Sequence, residues 1–321
     1  MATTLTVATR RRGDRQNVQD ALFRGMTRAF AIGVLVLLGG IVVSLAAGAA
    51  PAFRAFGWGF LVSDAWNPVK DNFGALPAIY GTLATSVIAM LISIPLGIGI
   101  AVFLTELCPP ALRRPIGTLV ELLAAIPSII YGIWGLFVLA PFLQLTVQPF
   151  LVDTLGELPI IGQLFGGPPL GLGILTAGII LGVMVLPFIA AVTRDVFLTV
   201  PPMLRESAYG VGATTREVVS HIVLPFTRTG VIGAIMLALG RALGETMAVT
   251  FVIGNAHHIR VSLLAPGTTI SATLANEFSE AVGQLYTSSL FALGAILFVI
   301  TFIVLAIAKL LLMRLEQQGA K

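Results

Sequence analysis

Apolar residues run through this chain in long unbroken blocks, and most polar positions fall between the blocks instead of alternating within them. Strict alternation would predict half-buried strands, whereas uninterrupted runs of about 20 apolar residues predict helices that cross a bilayer. Six such runs occur, at about 29–49, 79–104, 117–139, 171–192, 231–253 and 289–312. The segments between them carry Arg, Asp, Asn, Pro and Gly and read as connections. The pattern therefore predicts an all-α integral membrane protein with six transmembrane helices.

Composition removes the soluble alternative. Hydrophobic residues make up 57% of the 321, charged residues only 11%, and the mean hydropathy is +0.98. A soluble domain carries about 25% charged residues. The small residues Ala46 to Pro51 after the first apolar run imitate a secretory cleavage site, but the run is nearer 20 residues than the 7–15 or so of a signal core. A retained first helix is the expectation. Arg10, Arg11 and Arg12 are followed by polar residues and do not open a twin-arginine signal.

Charge then fixes an expected orientation. With the N-terminus in the cytoplasm, that side collects Arg10, Arg11, Arg12, Arg15, Arg24, Arg28, Arg113, Arg114, Arg194, Arg205, Arg216, Arg228, Lys309, Arg314 and Lys321, fifteen of the 19 basic residues. The opposite side holds Arg54, Lys70 and Arg260. Such asymmetry predicts cytoplasmic N and C termini. The formal charge of +4 reads as topology and contact with anionic membrane lipid, and no basic patch with interleaved aromatics suggests nucleic acid.

Several chemistries lack their residues. Cys108 is the only cysteine, so neither an intrachain disulfide nor a thiolate metal cluster is available. His257 and His258 are adjacent, without the i, i+4 spacing of a helical metal site, and His221 stands alone, so no metal is expected. No Gly-x-Ser-x-Gly elbow occurs, and Lys70, Lys309 and Lys321 follow no glycine-rich phosphate loop. The chain is expected not to be an enzyme and to bind no cofactor. If transport is ATP-driven, ATP and Mg belong to another subunit.

Polar or helix-breaking residues inside the apolar runs mark the candidate sites. Pro95, Pro127 and Pro187 each fall mid-span, where a missing N–H leaves a carbonyl unpaired and predicts a kink. The stretches Gly81–Ser86 and Gly173–Gly178 are small enough for close helix packing. Arg241 and Glu245 lie four residues apart within the fifth run, so on a continuous helix they share a face. A charge at mid-bilayer costs about 2.5–3.5 kcal/mol unless it faces protein or water. The pair is either a structural ion pair or part of a path for an anion.

The connection between the fourth and fifth runs, about 194–229, is far longer than a link requires. Pro201 and Pro202 open a short helix, Gly210 and Gly212 allow a tight turn, and Thr214 with Glu217 forms a capping box for a second helix. In that helix Val218, Val219, Ile222 and Val223 form an apolar stripe that ends at Leu224 and Pro225. The stripe would lie on lipid, pack on the chain's own helices, or enter a groove on a partner.

These residues carry a resemblance that periodicity alone does not supply. Glu206, Ser207 and Ala208, then Gly212, then nine residues and Ile222, Leu224 and Pro225, resemble the EAA loop of type I ABC importer permeases, with Ser207 the single departure from consensus. In that family the segment docks on a separate ATPase. A wider resemblance, in 73–86, 94–107, 121–135 and 224–255, is to the permeases of the phosphate-specific ABC importer. The wording after Thr246 is less like the sister permease PstA of that system.

The resemblance implies the type I (MetI-like) permease fold: a cytoplasmic tail 1–28, a peripheral first helix 29–49, a periplasmic segment 50–78, a five-helix core 79–313 with the coupling loop at about 194–229, and a tail 314–321. It implies inorganic phosphate as cargo. It also implies a PstA-like second permease, a PstB-like ATPase dimer, a PstS-like periplasmic binding protein, and a multi-pass place in the bacterial inner membrane. Coupling would rest on Glu206, Ser207, Ala208, Gly212, Val218, Ile222, Leu224 and Pro225, and the path on Arg241 and Glu245. Runners-up are PstA itself, another oxyanion permease and, from a different class, an ion-coupled secondary transporter. A secondary transporter has no need of the long loop and often shows internal repeats, and none is evident here.

Overall fold

A computed structural model describes residues 2–156, 158–159 and 162–319. Side chains of residues 1–19, 311–312 and 314–321 lie outside the description, and with them Arg10, Arg11, Arg12, Arg15, Arg314 and Lys321 of the charge asymmetry. Six helices among the described residues are long and apolar enough to cross a membrane: Asp20–Phe56, Leu76–Leu107, Ser128–Leu155, Ile174–Leu198, Thr215–Leu243 and Gln284–Leu310. They are called the first to sixth spans. The number agrees with the apolar runs; the third and fifth spans differ from their runs by ten residues or more at both ends.

The third run was expected at 117–139 with Pro127 as a kink inside it. Instead the chain breaks there. A separate amphipathic helix covers Pro110–Ala124, and Pro127 caps the start of the span at Ser128. The physical reason is that Pro disfavours helical geometry in the residue before it and cannot donate to the preceding turn. The third span then continues to Leu155, well into the segment read as a connection. Pro95 and Pro187 do lie inside their helices as expected.

Four widened, π-helical turns occur among the described residues, Phe103–Leu107, Gly135–Leu139, Leu143–Val147 and Val219–Val223. A proline follows each at the same offset: Pro109, Pro141, Pro149 and Pro225. A prolyl ring collides with the carbonyl four residues back and offers that carbonyl no N–H. At Pro141, Pro149 and Pro225, where the helix continues, widening the preceding turn moves the carbonyls to partners five residues on and relieves both problems. Pro109 instead lies past its helix end, after an extended Cys108. Leu224 and Pro225 accordingly do not end a helix. They lie within the continuous fifth span, which is a correction to the two-helix reading of the loop.

The fourth span is the central element, and the second and fifth pack along it. Its Ile180, Leu181, Met184, Val185 and Ile189 are fully buried with Ala89 of the second span, Ala238 of the fifth and Val252. Glycine permits the approach. A Cβ on Gly178 would come within 2.6 Å of Ile88, and one on Gly97 within 2.7 Å of Ile189. At Gly81 a Cβ would sit 1.9 Å from the Thr268 carbonyl oxygen, so the second span is held directly against the backbone of the 244–283 segment.

The first span runs beside the sixth. Pro51 breaks its ladder, and Ser288 of the sixth span repairs it: the Ser288 hydroxyl accepts from Ala52 N–H at 2.9 Å and donates to the Gly48 carbonyl at 2.7 Å. The small residues that imitate a cleavage site thus form a packing surface, with Ala49 and Ala52 buried and Gly48 against the Phe291 ring. Beyond Phe56 the chain makes a two-stranded hairpin, Trp66–Asn67 with Asn72–Phe73, turned at Asp71 in the left-handed region. Phe56, Phe60, Phe73 and Tyr286 stack there into an aromatic cluster over the sixth span.

Candidate functional site

The fifth span ends at Leu243, two residues after Arg241. Gly244 and Thr246 interrupt the helix, and a single turn resumes at Met247–Thr250. Arg241 and Glu245 therefore do not share a helical face, and they form no ion pair; this corrects the expectation drawn from their spacing. Glu245 turns back into its own chain, where its carboxylate accepts the Ala248 N–H at 3.1 Å and caps the new turn. Two unpaired backbone ends meet at the break, and a glutamate is a good acceptor for one of them.

Arg241 is exposed on the surface of this chain and makes neither an ion pair nor a hydrogen bond among the described residues. Its position in the last helical turn places a cation at the negative end of the helix dipole, which stabilises it by about 0.3–1 kcal/mol. Tyr131 lies within electrostatic reach of it. The buried Tyr131 donates its hydroxyl to the Leu123 carbonyl at 2.8 Å and so ties the end of the amphipathic helix to the third span. Sequence reasoning missed Tyr131, because one tyrosine in an apolar run carries no signal until its partner is known.

The connection at about 194–229 has the expected local structure. Pro202–Gly210 is a helix, Gly212 takes φ +91° with open space around it, and Thr214 and Glu217 close a full capping box. Gly210 needs no special conformation and stays within its helix. The apolar stripe takes the second of its three possible places. Val218 and Val223 are fully buried, with Ile222, Leu224 and Ala208 packed beside them, against Ala101, Phe197 and Val231 of the chain's own spans. Val218, Ile222 and Leu224 therefore face inward. Glu206, Ser207, Gly212 and Pro225 are exposed, and Met203, Tyr209 and Val211 join them, with Val211 at 88% exposure.

Arg205 fastens this surface to the membrane spans. Its guanidinium donates to the Phe197 carbonyl at 2.7 Å and pairs at 3.3 Å with Glu106, which is 5% exposed at the end of the second span. A buried carboxylate against a single guanidinium is costly to break, so Arg205 ties the Pro202–Gly210 helix to the ends of two spans.

On the opposite face, His257 is a structural residue. Its Nε2 meets Glu277 at 2.7 Å and its ring stacks on Trp66 at 5.0 Å. Glu277 also accepts from Trp66 Nε1 at 2.6 Å and from the Tyr286 hydroxyl at 2.8 Å. Burial alone raises the Glu277 pKa, but the hydrogen bonds from His257, Tyr286 and Trp66 and the His257 charge outweigh it and hold the carboxyl below its ordinary value. A carboxyl with a lowered folded-state pKa contributes stability that is complete above the unfolded value of about 4.3 and lost as pH falls through the folded one. Thermal unfolding followed from pH 7 downward is expected to show this acid loss. Glu277→Ala removes that component and destabilises at neutral pH by about 1–3 kcal/mol for each donor left unpaired.

Residues 93–317 match the family described as binding-protein-dependent transport system inner membrane component. The "Phosphate transport system permease protein PstC" of Mesorhizobium japonicum is 66% identical over 92% of this chain and 91% of its own length. The protein of the same name from Pasteurella multocida is 55% identical over 95% of each. Among solved structures, a bacterial ABC transporter importing the acidic polysaccharide alginate aligns over 92% of this chain and 96% of its own, with a TM-score of 0.59 at 18% identity. A chain of the MetNI methionine ABC transporter aligns over 74% of this chain and 94% of its own, with a TM-score of 0.55 at 18% identity. The fold is that of the ABC importer permeases, and the chain is a multi-pass membrane protein. This chain belongs to the binding-protein-dependent transport inner membrane components, in the branch that holds the PstC permease proteins.

Proposed function

We propose that the chain forms one half of the translocation path of an ATP-driven importer of inorganic phosphate. The observation that carries the cargo is Arg241, an exposed guanidinium without an ion-pair partner among the described residues, at the end of the fifth span after the apolar run 231–239. A guanidinium makes two parallel hydrogen bonds to a phosphate and keeps its charge at every physiological pH. Contact of this kind must remain weak, since conduction requires release. Glu245, within the helix break, would accept the proton that phosphate carries and fully ionised sulfate lacks. The relatives' names supply the same cargo independently.

The partners follow from the same reading. A PstA-like permease completes the path, a PstS-like binding protein delivers phosphate from the periplasm, and a PstB-like ATPase dimer with ATP and Mg docks on the exposed side of Pro202–Gly210. Both termini and the coupling loop face the cytoplasm of a bacterium, and the chain sits in the inner membrane. Glu206, Ser207 and Gly212 belong to the docking surface. Val218, Ile222 and Leu224 support it from behind.

ATPase activity of the complex purified on a tagged copy of this chain tests the proposal. Phosphate-loaded binding protein is expected to stimulate hydrolysis and sulfate is not. Absence of an ATPase from an intact complex overturns ATP coupling, and equal stimulation by sulfate overturns the cargo.

A further inference from the structure

A cavity of about 300 Å³ lies between the end of the second span, the amphipathic helix Pro110–Ala124 and the end of the fourth span. Arg113, Arg114 and Arg194 line it with Thr105, Thr118 and Glu121. Arg194 is already committed. Its guanidinium donates to Glu121 and Asp195, and it lies so close to Gly117 that a Cβ there would come within 2.4 Å of Nη1. Arg113 and Arg114 are exposed and make no ion pair among the described residues, so the wall retains two unspent positive charges.

The depth of the cavity follows from the helix that closes it. Leu112, Leu119 and Leu123 are 51%, 59% and 47% exposed, and their spacing of seven and four residues sets them in one stripe. Pro110, Arg114, Gly117 and Glu121 fall on the opposite side, toward the cavity. A helix that is apolar outside, basic at its start and joined to two membrane spans lies in the interface, where headgroup phosphates are. Basic pockets between spans bind such headgroups. We propose that this cavity holds the phosphate of an anionic lipid headgroup from the leaflet on the coupling-loop side. Free inorganic phosphate shares the chemistry, but it has no use for the apolar stripe that seats this helix in the interface. Thr105 in the cavity wall precedes Glu106, the partner of Arg205, so the lipid would rest against the connection between the coupling helix and the second span.

The test uses the assembled complex in nanodiscs and reads lipid retained in native mass spectrometry together with the unfolding midpoint. Phosphatidylglycerol is expected to be retained and to raise the midpoint relative to phosphatidylcholine alone. Arg113→Gln with Arg114→Gln is expected to reduce that retention by about fivefold per arginine and about 30-fold for both, while Arg216→Gln, an exposed arginine of the coupling loop, leaves it unchanged. Retention of phosphatidylglycerol by the double variant at the level of the unaltered complex overturns the proposal. An arginine-dependent rise in midpoint produced by inorganic phosphate in phosphatidylcholine discs, without phosphatidylglycerol retention, overturns the lipid source in favour of free phosphate. Should the double variant fail to assemble, Thr118→Leu fills the cavity without removing a charge, and undiminished retention there is equally decisive against the site.

Discussion

Replacing Arg241 by glutamine is expected to abolish phosphate uptake while the complex still assembles. No carboxylate is left unpaired by the change, because Arg241 has no ion-pair partner among the described residues and Glu245 is engaged by the Ala248 N–H. The cost to folding is the helix-terminus attraction of about 0.3–1 kcal/mol. The cost to transport is the loss of two charge-assisted hydrogen bonds of about 1.5–3 kcal/mol each, at least about 100-fold in uptake. Radiolabelled phosphate uptake in cells, with co-purification of the partners as the control for assembly, measures both. Arg241→Lys keeps the charge but not the fork and should fall between the two. Uptake by the glutamine variant at the ordinary rate would remove Arg241 from the path.

Had Arg241 and Glu245 shared a helical face as a neutral pair, the same substitution would have stranded a buried carboxylate, and a transport defect could not be separated from misfolding. Spacing alone suggested that arrangement. Four residues place two side chains together only if the helix continues between them, and Gly244 ends it. A glycine inside an apolar run is common and gives no notice of a break. The apolar length of each span, by contrast, depends on composition alone, and six spans were legible for that reason.

Elsewhere the boundary between legible and hidden follows the range of the interaction. The capping box of Thr214 and Glu217 spans three residues and was readable. So was the need for glycine at 212, where φ is positive. Proline chemistry was readable as a local disturbance but not in its outcome: Pro127 ends a helix, Pro51 is repaired by a hydroxyl 237 residues away, and Pro225 is absorbed by a widened turn. The contacts of Arg205 with Glu106, Arg194 with Glu121 and His257 with Glu277 join different spans or loops. No pattern in a single sequence announces them. The direction in which the stripe of Val218 and Ile222 points is hidden for the same reason, since an amphipathic face shows that something covers it and not what.

The inward stripe leads to the last prediction, which concerns the surface it leaves outside. Met203, on the Pro202–Gly210 helix that Arg205 anchors to the spans, is 75% exposed, and Val211, just past its end and next to Gly212, is 88% exposed. Large apolar side chains exposed together outside the membrane mark a surface that a partner covers. Met203→Glu with Val211→Glu is expected to release the ATPase from the complex and to stop uptake, with the second permease still bound and the unfolding midpoint unchanged. Desolvating two carboxylates without partners costs several kcal/mol in an interface, and in water it costs nothing. Val218→Glu provides the contrast: that residue is fully buried within the chain's own core, so the same chemical change lowers the unfolding midpoint and the yield of folded chain as well as ATPase retention. Co-purification of the ATPase and thermal unfolding, read on both variants, separate the two effects. If the Met203 and Val211 variant retains its ATPase, the docking surface lies elsewhere, and Gly212 serves only the turn between the two halves of the loop.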